Sequence, residues 1–432
     1  MVTTGLWMYS FYTLNSVLGS TIPNDKIECF GVIEKVRTKI KTQHLVVASD
    51  GCAGKVLVVT SLYPEHSIGD HIEFSGSAKK PEVLNYTDAY GYDRSFEYDR
   101  WLAMQGIGLV MIYPIIASVP DATHSIERYL YVVKQKVTSR VLRLIPGSEG
   151  SLLNGILLGE QDRIDPHIAD IFRRTGISHI VALSGFNITI IAVFFLRAAP
   201  YLYIGRKSAI ALTVVAIFLF TILTGASASI VRAAIMGSLT VMAYVIGRPQ
   251  SVIPLVLFSA ASMTIVRPLI VLYDVGFQLS FAATLGLIVL YPRVERIIRF
   301  IPKILGLREV VGATLVALIV TTPISMSTFG TVSPVSLLAN ILVVPLIPWI
   351  MAVGSVLLIV SFVPIINTTT TVVTWVGLKV VIGIVDTLTR IPQSYIVFES
   401  ISWMVSLSVY ACLIFVALFI HRKFLKNIIR SI

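Results

Sequence analysis

The sequence predicts a polytopic α-helical membrane protein of about 8–10 transmembrane helices, some broken or re-entrant, preceded by a small extracytoplasmic β-barrel. Three observations carry this expectation. Of 432 residues, 55% are hydrophobic and only 14% charged, with a mean hydropathy of +0.81, well outside the range of a soluble globular domain. Apolar runs approach or exceed the ~20 residues a helix needs to cross a bilayer. Basic residues gather between alternate runs, as at Arg197, Arg206 and Lys207, at Arg293, Arg296, Arg299, Lys303 and Arg308, and at Arg422, Lys423, Lys426 and Arg430.

The first segment, 1–22, contains GLWMYSFYTLNSVLG, which reads as a signal anchor or a truncated membrane helix. Residues 23–120 have a different texture. IECFGVIEKV, QHLVVAS, KVLVVT, DHIEFSGSA and GIGLVMIYPII favour strands, and turn signals separate them. Five such strands fit an OB-like barrel, a fold that often grips single strands or sugars but does not by itself define a function. Cys29 and Cys52 both fall in it. An oxidising exterior permits a disulfide between them, and two buried thiols are the alternative.

Residues 121–177 read as a helical linker. Ile126, Leu130, Val133, Val137, Val141 and Leu144 recur at helical spacing with basic residues between them, the pattern of an amphipathic helix that lies along a membrane surface. Lys134, Lys136, Arg140 and Arg143 form either a solvated face or a strip that meets phosphate.

The transmembrane segment, 178–432, offers apolar runs near 178–198, 208–225, 229–247, 251–267, 274–291, 309–327 and 403–421. Two further runs, 333–362 and 368–390, are interrupted by Pro345 and Pro348, and by Lys379 and Asp386. The positive-inside rule places the basic loops and both termini in the cytoplasm, leaving residues 20–177 outside the plasma membrane. Within this lipid-compatible sequence some polar residues require explanation. His179, Ser184 and Asn187, with Gly185 beside them, fall within ~140° of one another on a helix and should line something. Ser229 lies three residues before Arg232, and Asp274 four before Gln278, so each pair shares a face. Arg232 either pairs with Asp274 to lock helices together or meets a phosphate in transit. Asn340, followed by Pro345 and Pro348, marks a helix break that either completes a pore or merely kinks a buried helix.

Catalysis is not expected. His179 and Ser184 point ~140° apart on a helix, which disfavours a base and nucleophile pair. Seven histidines show no HxH or HExxH pattern, and there is no GxxxxGK[ST] loop, so neither metal nor cofactor is expected and ATP energy would come from a partner.

Three segments in order carry a family resemblance. Gly176, His179, Ser184 and Gly185 match a signature of the ComEC family of competence proteins, with Asn187 where the family usually has a second histidine. TGASASIVRAAIM resembles the family's second block, with Ala228 in place of proline. DVGFQLSFAATLGL resembles the third, with Val275 in place of proline. LLGEQDRI and FEYDRWLAMQGI also have family counterparts, and the resemblance extends from about Ile27 to Ile420.

The resemblance implies a channel that conducts single-stranded DNA into the cytoplasm. His179, Ser184, Gly185, Asn187, Ser229, Arg232, Asp274, Gln278 and Asn340 would line the path. Tyr86, Tyr90, Tyr92 and Phe96 would stack bases on the outer domain, beside the basic linker. An external DNA receptor, a nuclease and a cytoplasmic helicase or motor would act in trans, and a homodimer could frame one pore. Many members end in a metallo-β-lactamase-like domain. This sequence ends soon after its last apolar run, so a short form lacking that domain is expected. A transporter of a lipid-linked or small polar solute is the alternative.

Overall fold

The computed structural model describes residues 26–49, 52, 54–87, 91–181, 185–246, 252–303, 306–360, 364–398 and 404–411. The expected N-terminal membrane segment, Tyr90 and Ser184 lie outside the described residues.

The strands in chain order are β1 (Lys26–Thr38), β2 (Thr42–Ser49), β3 (Lys55–Ser61), β4 (Asp70–Lys79), β5 (Leu84–Thr87), β6 (Asp93–Phe96), β7 (Ile107–Ile112) and β8 (Ile115–Ala122). β5 and β6 pair as a separate hairpin, and the other six form one sheet ordered β1-β2-β3-β7-β4-β8. β1 also pairs with β4 along Lys26–Val32. β4 meets β7 only at Ala78 and Lys79, because β8 takes its edge from Asp70 to Ser75. The sheet therefore curls without becoming the expected closed barrel. β8 was not foreseen as a separate strand because Pro120 interrupts it, and an edge strand tolerates a proline that an inner strand would not. The run expected as one strand to Ile116 is broken at Tyr113, whose φ is 51°.

Leu45, Ile72, Phe74 and Met111 alternate inward to form the sheet's core. In β1, Cys29 and Ile33 also face the core. The ladder with β2 then shifts between Ile33 and Lys35, a bulge that reverses strand parity. Thr38 becomes the buried position, while Lys35 and Arg37 turn outward. Cys29 and Cys52 form a disulfide with their Cα atoms 5.9 Å apart. Closing a loop of this length restricts the unfolded chain by ~3 kcal/mol. Reduction, or a Cys29→Ser/Cys52→Ser double variant, is expected to lower the sheet's unfolding free energy by about that amount, read from denaturant titration of tyrosine and tryptophan fluorescence.

His44 lies on β2 opposite Arg37. Burial, with help from Lys39 and Arg37 and against Asp162, lowers its pKa from 6.5 to about 4. Its neutral form is thus favoured in the fold. Its contribution is fully present above the unfolded pKa of ~6.5 and declines as pH falls toward about 4. Burial lowers the pKa of His66 as well, and Asp70 opposes it. Denaturation midpoints should therefore drop across this acid window, with a shallower slope in His44→Gln and a still shallower one in His44→Gln/His66→Gln.

After α1 (Tyr98–Ala103) comes α2 (Ile126–Leu144), which is capped by Ser125 and held to the sheet by Arg128 and Asp70 at 2.6 Å. Rather than lying free along a surface, α2 packs on α3 (Ser148–Leu158). In α3 every residue from Gly150 to Leu158 is buried. α4 (Pro166–Arg174) leads to α5 (Ser178–Val181) and α6 (Gly185–Ala198). The chain continues through α7 (Arg206–Leu223), α8 (Ala228–Ile246), α9 (Val252–Val266), α10 (Ile270–Tyr273), α11 (Val275–Ile297), α12 (Leu307–Phe329), α13 (Ser336–Val343), α14 (Ile347–Val360) and α15 (Pro364–Thr389). α3 packs against α14 and α15 in the largest apolar core.

Five helical stretches, Ser178–Ala198, Arg206–Leu223, Val275–Phe300, Leu307–Phe329 and Asn367–Thr389, are long and apolar enough to cross a membrane. They become six if α13 and α14, bent by 44°, count as one broken span. The apolar parts of α8 and α9 are shorter. Of the expected runs, 1–22 and most of 403–421 lie outside the described residues, and those near 229–247 and 251–267 give the two shorter helices. Close packing uses small residues: a Cβ on Gly286 would stand 2.6 Å from Val320 Cγ2, and one on Gly237 would stand 2.9 Å from Ile188 Cγ2.

Candidate functional site

Two polar clusters lie among the apolar helices. The first joins the turn after α4 to the broken span. Gly176 has φ +70°, and its missing Cβ leaves room for Ser333 and Ser336. Ser336 Oγ donates to the Gly176 carbonyl at 3.4 Å. Asn340, one turn along α13 and 4% exposed, donates to the Ser336 carbonyl at 2.8 Å. His179 hydrogen-bonds both the Gly176 backbone and the Asn340 side chain, yet remains exposed. Residues more than 150 positions apart in sequence therefore converge where α13 begins.

The second cluster joins α8 to α11. Arg232 Nη1 donates to the Ser280 carbonyl and to Thr284 Oγ1. Its guanidinium carbon lies 5.5 Å from the centre of the Phe281 ring. Ser280 Oγ donates to Ser229 Oγ at 3.5 Å. Arg232 Nε is buried without a hydrogen-bond partner. The acceptors on α11 are neutral and none of the described ion pairs engages Arg232, and such a cation is costly in hydrocarbon.

Other expected site residues separate from these clusters. Asp274 does not meet Arg232; its carboxylate caps α11 by accepting from Phe277 N at 2.8 Å. Gln278 Nε2 donates to the carbonyls of Val271 and Leu272, each at 2.9 Å. Asn187 is 5% exposed and donates to the Ile156 carbonyl at 3.1 Å. It therefore points into the packing with α3, whereas His179 is exposed. The expectation of one shared polar face is corrected accordingly, since neighbouring helices bury a face that periodicity alone leaves open. Gly185 brings α6 near α8, where an added Cβ would lie 3.3 Å from Ala233 Cβ.

On the sheet, Tyr86 and Tyr92 are exposed. Tyr86 lines an open concavity of the β5–β6 hairpin together with Asn85, Thr87, Asp93 and Ser95. Phe96 ends β6. On α2, Lys136 and Arg143 are exposed and Arg140 is half-buried. Lys134 differs, since it pairs with Glu160 at 2.6 Å with side-chain exposures of only 13% and 11%. It is thus committed to a structural ion pair and unavailable to a phosphate. Ser280, Phe281, Thr284 and Ser336 complete the two clusters and were not anticipated. Ser280, Phe281 and Thr284 belong to the GFQLSFAATLGL block, but their spacing says nothing of an arginine on another helix. No group of three or more His, Cys, Asp or Glu that could hold a metal ion occurs among the described residues.

A family model described as "Competence protein" matches residues 156–423. The chain is also 24% identical over 291 residues to the "ComE operon protein 3" of Bacillus subtilis (strain 168). That match takes in 67% of this chain and 35% of the relative, so the chain spans about a third of the relative's length. No solved structure matches.

Proposed function

The chain belongs to the Competence protein family, and we propose that it is a multi-pass membrane protein that conducts a single DNA strand into the cell. The observation that carries this reading is Arg232, a half-buried cation whose partners are neutral and whose Nε is unused. A passing phosphate supplies the missing negative charge, and a guanidinium recognises it through planar, charge-assisted hydrogen bonds. The cluster of His179, Ser336 and Asn340 offers further polar groups at the start of the bent α13–α14 pair.

In this reading residues 23–120 receive the strand outside, 121–177 link, and 178–432 form the path. The lipid bilayer surrounds that path, and both termini face the cytoplasm. An inside-negative potential opposes anion entry, so a cytoplasmic helicase or motor draws the strand in. An external receptor and a nuclease cooperate in trans, and two copies frame the pore.

The test is deletion followed by exposure to labelled DNA. Cells lacking the chain should stop internalising nuclease-protected DNA, and re-expression should restore entry. Unchanged uptake on deletion would sink the proposal.

A further inference from the structure

A basic and aromatic strip runs where the sheet meets the helices. The bulge after Ile33 turns Lys35 and Arg37 to the same outer face of β1. Arg37 lies over Trp101 on α1, with its guanidinium carbon 5.6 Å from the ring centre. Tyr98 stacks on Trp101 at 5.9 Å and an interplanar angle of 17°. One turn of α1 also carries Arg100, whose guanidinium carbon lies 5.7 Å from the centre of the Tyr273 ring and whose Nη1 donates to the Tyr273 hydroxyl at 3.5 Å. Tyr273 ends α10, and its neighbour Leu269 packs with Ala103 of α1, so the two parts are in direct apolar contact there.

Charge on the strip is unbalanced. The Lys35 side chain is exposed on β1, and partial desolvation of its ammonium together with Arg267, Arg37 and Lys55 lowers its pKa against Glu34; Arg267 is exposed too and its carbonyl accepts from Ile270 N of α10 at 3.0 Å. These cations therefore share one field although they come from β1, β3 and the turn after α9. Lys55 pairs with Glu34, and Arg100 with Glu97. Among the described ion pairs none engages Lys35, Arg37 or Arg267. Like charges gathered from different elements repel one another, and a bound polyanion relieves that repulsion. Aromatic rings interleaved with arginines suit unpaired bases, each of which has a face to stack.

We propose that Lys35, Arg37, Trp101, Arg100, Tyr273 and Arg267 form a hand-over site for a single DNA strand between the sheet and the helices. The inference rests on the DNA-conducting reading above and moves strand reception away from the β5–β6 hairpin. It also has a direction. Tyr273 is joined to α11 through its cap Asp274, and Phe281 beneath Arg232 lies ~9 Å beyond the first residue of that helix at its usual rise. The strip therefore leads from the sheet toward the Arg232 guanidinium.

The full chain in nanodiscs containing phosphatidylglycerol, titrated with fluorescent oligo-dT at several salt concentrations, tests this. Trp101→Leu should weaken binding roughly ten-fold, with Trp101→Phe restoring most of it. Arg37→Gln and Arg267→Gln should each flatten the log–log salt slope by about 0.7, the value for one phosphate contact on a single strand. As a check independent of any substitution, a bromodeoxyuridine oligonucleotide should crosslink to Trp101 or Tyr273 in the unaltered chain. Unchanged affinity in the variants with crosslinks elsewhere overturns the hand-over site while leaving the channel reading standing. So does a strip that crosslinks to a photoactivatable anionic lipid and not to the oligonucleotide. An unaltered chain that binds no oligonucleotide at all overturns the channel reading, and the hand-over site with it.

Discussion

Arg232→Ala is expected to cut DNA uptake about 100-fold while leaving the protein inserted in the membrane, because a charge-assisted hydrogen bond contributes up to ~3 kcal/mol. The folding loss should be small. The Ser280 carbonyl keeps the Thr284 hydroxyl, which donates to it at 2.9 Å, so no acceptor on α11 is orphaned. Removing the guanidinium also deletes a half-buried cation that none of the described ion pairs engages. On the proposed reading the change falls on transport, where the phosphate would lose its partner. Arg232→Lys keeps the charge but loses the planar fork and the stacking on Phe281. It should retain an intermediate rate, roughly ten-fold down. Nuclease-protected uptake of labelled DNA, normalised to protein in the membrane fraction, checks both values. Normal uptake by a correctly inserted Arg232→Ala protein removes Arg232 from the path.

Gly176→Ala should destabilise the helical part and disable the first cluster together. Its φ of +70° disfavours any side chain, and the new Cβ would stand 2.8 Å from both Cβ and Oγ of Ser336 and 3.0 Å from Ser333 Cβ. The left-handed conformation costs ~1–2 kcal/mol in a non-glycine residue, and overpacking a further ~1–3 kcal/mol. Serine side chains are too short to swing clear, so α13 must shift and separate Asn340 from His179. Thermal unfolding in detergent should move down by roughly 5–10 °C, and uptake should fall. Gly205→Ala is the control: no atom lies within 4 Å of its added Cβ, so the midpoint should stay within about 1 °C.

Much of the fold was legible locally. Alternation of apolar residues marked β1 to β4 and β7, because a half-buried strand repeats its environment every second residue. Asn340 with Pro345 and Pro348 announced the break, which appears as the 44° bend between α13 and α14. β8 was missed as a separate strand because Pro120 weakens its signal, and the sheet curls instead of closing because β8 occupies the edge of β4. Lys134 read as a solvent or phosphate group because Glu160, its partner, is 26 positions away in sequence.

The polar residues divide the same way. From the sequence alone came the membrane class, the strand-rich segment before it, the family motifs and the fact that Arg232 stands in apolar surroundings. All of these depend on composition and spacing along one stretch of chain. Tertiary structure alone decided that Arg232 meets Ser280 and Thr284 rather than Asp274. It also turned Asn187 inward to Ile156, and brought Arg37 over Trp101 and Arg100 against Tyr273. The partner of a charged or amide side chain depends on which distant helix packs against its own, and local periodicity carries no information about that choice.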